Sequence, residues 1–86
     1  MGLIDEVSDV LFSAWDPIDL KLMGGPRDEY RSFAPELISL VQMGGGEEQI
    51  AAHLAEIAKV EIGLSADPER TSRAASLIVN LVRSSA

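Results

Sequence analysis

Residues 67–83 read Asp67-Pro68-Glu69-Arg70-Thr71-Ser72-Arg73-Ala74-Ala75-Ser76-Leu77-Ile78-Val79-Asn80-Leu81-Val82-Arg83, and this stretch holds both the start signal and the buried face of a helix. Asp67 suits an N-cap, where a carboxylate accepts from backbone N–H groups that have no helical partner. Pro68 then takes the first helical position, where its missing N–H is no loss. Glu69 places negative charge at the positive end of the helix dipole. Ala74, Ala75, Ile78, Leu81 and Val82 recur at helical spacing and Arg83 falls in the last turn, so the pattern predicts a helix to about residue 83. Arg70 and Arg73 lie on its outer side, where they balance the chain's own acidic helices in preference to meeting an acidic partner. Ser84-Ser85-Ala86 is expected to fray.

Working upstream, the same spacing predicts three more helices. Gly63 ends a third helix that opens on Glu47-Glu48 and carries Ile50, Ala51, Leu54, Ile57, Ala58 and Ile62 on its apolar stripe. Gly44-Gly45-Gly46 before it reads as a flexible connector, because no Lys-Ser or Lys-Thr follows and two glutamates stand where an anion would dock. The second helix is expected to start with Asp28 near its N-cap and to bury Tyr30, Phe33, Leu37, Leu40 and Val41. Pro35 interrupts that run, and a kinked helix is expected in preference to a separate start near Pro35.

In the first helix Leu3, Ile4, Val7, Val10, Leu11 and Ala14 form the inner stripe, with Asp5, Glu6, Ser8 and Asp9 outside. Asp16-Pro17 stops it, because a residue before proline is pushed out of the α region. Residues 16–27 then form a long loop whose Ile18, Leu20, Leu22 and Met23 are apolar enough to fold back over the core, with Trp15 as the plug beneath. The fold class that follows is all-α, a small irregular array of four helices with a long apolar first loop, in a single helical domain over residues 1–86.

Composition bounds the function. A chain of 86 residues holds one domain and buries only roughly 60% of its unfolded surface, so its core is compact or completed by a partner. The absence of cysteine removes disulfides, thiolate metal sites and cysteine nucleophiles and points to a cytoplasmic address. Asp5, Glu6 and Asp9 near the start have the wrong charge for a targeting signal. No apolar run approaches the ~20 residues of a membrane span, so no membrane role is expected. Fourteen acidic residues oppose seven basic ones, for a formal charge of −7. The excess lies in residues 1–63, which repel phosphate and disfavour nucleic acid as a partner.

Asp16, Asp19, Asp28 and Glu29 flank the first loop. Four carboxylates there suit Mg²⁺ or Ca²⁺, but their spacing does not match a calcium loop, and turn and capping roles explain each of them locally. His53, the single histidine, sits at the edge of an apolar stripe with Gln49 and Glu56 as helical neighbours, neither of them a nucleophile. No catalytic residue, metal or cofactor is therefore assigned. The expected function is a non-enzymatic protein-protein interaction module that meets a basic protein partner through Asp16, Asp19, Asp28, Glu29 and Tyr30, a set that combines negative charge with an aromatic anchor. An immunity or antitoxin inhibitor of a basic toxin or nuclease is its concrete form. The alternatives are a divalent-metal-dependent enzyme built on the loop carboxylates, and a structural homodimer whose apolar loop completes the core.

Trp15-Asp16-Pro17-Ile18, followed by Asp28-Glu29-Tyr30, Phe33, Pro35 and Leu37, resembles a family of small uncharacterised bacterial proteins. In that family a Trp-Asp-Pro-Ile/Leu-Gly step precedes Asp-Glu-Tyr, a second aromatic residue, a proline and further helices. The resemblance covers roughly residues 8–83, with Asp19 standing where the family has glycine. It implies a small irregular helical array and no established activity.

Overall fold

Asp67 caps the last helix as its sequence predicts: its Oδ1 accepts from the N–H of Glu69 at 2.8 Å and of Arg70 at 3.3 Å, with Pro68 at the first helical position. The computed structural model describes residues 2–17, 20–26, 28–63 and 67–85, with the backbone alone at 20 and 21. Helix α1 (Leu3–Val10) continues through a π-turn over Leu11–Trp15, and a single turn, α2, follows at Leu20–Met23. A 3-10 turn (Arg31–Phe33) leads into α3 (Ala34–Gln42), and α4 (Glu47–Ile57) runs on through a second π-turn over Ala58–Ile62. Helix α5 (Pro68–Ser84) closes the array, and among the described residues there is no strand. The all-α class expected from the sequence is therefore the observed one.

Helix α5 is the hub, packing against α1, α3 and α4. Its buried stripe runs Thr71, Ala74, Ala75, Ile78, Val79 and Val82, and the two alanines leave room for close approach by neighbouring helices. Val7 and Leu11 of the first helix, Leu37 of α3, and Ile50 and Leu54 of α4 complete the fully enclosed core. The radius of gyration of 11.7 Å matches the value of about 12 Å expected for a compact chain of this length. Among the described residues no helix is long and apolar enough to cross a membrane.

Several local expectations are corrected. Pro35 does not kink a helix: α3 begins at Ala34, and Pro35 stands in its first turn, where no intrahelical N–H bond is lost. Asp28 is not an N-cap; its carbonyl accepts from the Arg31 N–H at 3.1 Å in the turn that precedes α3. The first loop holds the helical turn α2, and its Leu22 and Met23 face solvent instead of folding over the core. Ile18, expected to cover the core, lies outside the described residues, as does the side chain of Leu20. Ser8, assigned to the outer face, is buried because α1 packs against both α3 and α5.

The three glycines are no loose connector either. The Gly45 N–H bonds the Leu40 carbonyl at 2.9 Å and the Gly44 N–H bonds the Val41 carbonyl at 3.0 Å, the paired closure of a Schellman motif. Gly44 supplies the required positive φ of 100°. A Cβ on Gly45 would stand 2.7 Å from the Leu40 carbonyl oxygen.

Candidate functional site

The first connection is fastened where it leaves α1 and where it enters α3. Trp15 ends the first helix with its ring 1% exposed, edge-on to Tyr30 at 5.4 Å and to Phe33 at 6.4 Å between centroids. Its position as a core plug is the one read from the sequence. Asp16 follows with φ 30° and ψ 67°, a left-handed conformation that costs a residue with a Cβ about 1 kcal/mol or more. The surroundings hold it there. The Asp16 N–H closes the π-turn on the Leu11 carbonyl at 2.8 Å, and the Asp16 carbonyl accepts from Nη1 of Arg70, on α5, at 3.2 Å.

The Asp16 side chain completes the fastening. Its Oδ1 accepts from the Tyr30 hydroxyl at 2.7 Å, with the two residues 3% and 1% exposed. A carboxylate taken out of water requires such donors, and a buried tyrosine hydroxyl requires an acceptor. One bond thus joins the two ends of a 14-residue step in the chain. An ion pair between Arg31 and Asp5 at 3.2 Å ties the next residue to α1 from the solvent side.

These facts redistribute the residues predicted to bind. Asp16 and Tyr30 face each other in the interior, so their side chains offer no surface to a partner, and that part of the binding set is corrected. Asp28 and Glu29 are exposed at the end of the connection. Asp19 lies outside the described residues. Leu22 at 87% and Met23 at 71% exposure belong to the same connection, and a reading that placed them on the core gave no reason to include them.

His53 has a partner that helical spacing did not suggest. Its Nε2 lies 3.3 Å from Oε2 of Glu36, on α3, close enough for an ion contact when the ring is protonated but not aligned as a hydrogen bond. The pair bridges two helices, whereas Gln49 and Glu56 were the neighbours along its own. Among the described residues, which include Asp16, Asp28 and Glu29, no three of the His, Asp and Glu side chains are placed to hold a metal ion.

Comparison of the chain with protein-family models, with curated proteins and with solved structures finds no match.

Proposed function

We propose that this chain is a non-enzymatic protein-binding module whose working surface is the connection between α1 and α3. The observation that carries the reading is the buried 2.7 Å bond from Tyr30 to Asp16, which holds both ends of that connection while Leu22, Met23, Asp28 and Glu29 stand exposed on it. A loop held at both ends has less conformational freedom to lose when it binds than one with free ends. Two large apolar side chains supply contact area, and the acidic residues favour a basic partner by steering and by rejecting acidic competitors. Inhibition of a basic protein is the role these features suit.

The test is capture of partners by the wild-type chain and by three variants. Leu22→Ser with Met23→Ser, and Asp28→Asn with Glu29→Gln, are expected to lose a stoichiometric basic partner that wild type retains at low salt. Glu47→Gln with Glu48→Gln, on the first turn of α4, is expected to keep it. Retention by all three variants refutes the surface assignment. Light scattering at two ionic strengths checks the homodimer reading: a salt-insensitive dimer abolished by the Leu22 and Met23 changes would mean that this surface meets a second copy of the chain.

A further inference from the structure

A recess lies away from the first connection, between the start of α3 and the second half of α4. It is a half-open hollow of about 220 Å³. Phe33, Ile57 and Val60 give it apolar walls, and Glu36, Glu56 and Glu61 line it with carboxylates. Among the described residues no lysine or arginine lines it; Lys59, next to Val60 in sequence, is absent from its walls. Val60 is 68% exposed, an apolar side chain left without cover. His53 also lines the recess, and its Nε2 is buried with no hydrogen bond in spite of the Glu36 carboxylate 3.3 Å away.

We infer that this recess receives one basic side chain, an arginine, from a protein partner. The volume falls below the roughly 300–1,000 Å³ of small-molecule pockets and suits a single side chain. Arginine combines a methylene stem, which covers apolar surface such as Val60 and Phe33, with a charged head that stays polar. The head is a planar fork of donors that pairs with carboxylates two bonds at a time, so Glu36, Glu56 and Glu61 offer it more acceptors than an ammonium would use. The sign of the walls excludes an acidic occupant, and a wholly apolar occupant would bury the Glu56 and Glu61 carboxylates without partners.

The occupant does not depend on the first connection being a binding surface, and the test keeps the two apart. ¹⁵N-labelled protein is titrated at low ionic strength with N-acetyl-arginine N-methylamide, and in parallel with the neutral citrulline analogue. Saturable shifts are expected at Phe33, Glu36 and residues 53–61 with the arginine probe, and none with citrulline. Glu56→Gln with Glu61→Gln is expected to weaken binding by about tenfold or more, because it removes the charges the guanidinium meets. Val60→Ser is expected to weaken it by a smaller factor with no change in salt dependence. These positions are exposed or at the rim, so the variants should melt with wild type, which a thermal scan verifies. The inference is overturned by shifts spread equally over Asp28, Glu29, Glu47 and Glu48, by citrulline binding as well as arginine, or by a double variant that binds as tightly as wild type. Leu22→Ser with Met23→Ser should leave the titration unchanged whatever its effect on partner capture.

Discussion

Tyr30→Phe removes one oxygen atom and tests whether the fastening of the first connection matters to the whole fold. The hydroxyl donates to Asp16 Oδ1 at 2.7 Å with both residues almost fully enclosed, so water cannot take its place without the site opening. A hydrogen bond to a charged group contributes about 1.5–3 kcal/mol, and the loss falls at the upper part of that range when the acceptor stays buried. The phenylalanine ring keeps the volume and the edge-on contact with Trp15 at 5.4 Å, so no cavity term is added. In a domain of this length each kcal/mol moves the melting temperature by about 4–8 °C, so a loss of about 2.5 kcal/mol lowers it by roughly 10–20 °C. Urea titration followed by circular dichroism gives the free energy, and Trp15 fluorescence reports the site itself. Asp16→Asn keeps an acceptor and tolerates the left-handed backbone, so it is expected to cost less than Asp16→Ala. A Tyr30→Phe protein within about 0.5 kcal/mol of wild type would refute the argument, since surface-like tolerance at this position means that the bond adds no net stability.

Two further substitutions probe positions where the structure makes opposite demands. Gly45→Ala places a Cβ 2.7 Å from the Leu40 backbone carbonyl, and the strain of forcing it in is expected to cost about 1–3 kcal/mol in the same urea assay, whereas Gly46→Ala, with open space around it, should cost far less. Thr71→Val replaces a buried hydroxyl that has no hydrogen-bond partner by a methyl of similar shape, and it is expected to raise stability by up to about 1 kcal/mol; a clear loss would mean that the hydroxyl is satisfied in solution.

The parts of the fold that sequence alone made legible are those determined within a few residues. Asp67-Pro68 marks a helix start by capping chemistry, Gly63 marks an end by its left-handed φ of 83°, and the stripe Ile50, Leu54, Ile57 is read off one helix without reference to another. Failures came where a second element decides. Ser8 and Ile38 are buried because their helices have neighbours on more than one side, which no single stripe expresses. Tyr30 was legible both as part of an apolar stripe and as an aromatic anchor, Asp16 only as a charged turn residue, and tertiary proximity alone turns the two into donor and acceptor for each other. The Glu36 and His53 contact across α3 and α4 was hidden for the same reason. Pro35 and the three glycines were visible as breakers, but the direction in which a breaker acts depends on the hydrogen bonds around it.

The bond between Asp16 and Tyr30 also sets how much change the chain tolerates between them. Its two ends close a ring of polypeptide in which Leu22, Met23 and Glu29 stand exposed, away from the core. Doubling the length of such a ring costs only about 0.6 kcal/mol in closure entropy. Sequence inside it can therefore lengthen, shorten or change its chemistry while the helical frame keeps its stability. The fold is in this respect a mount with an exchangeable insert, which can be rewritten without disturbing the helices that hold it.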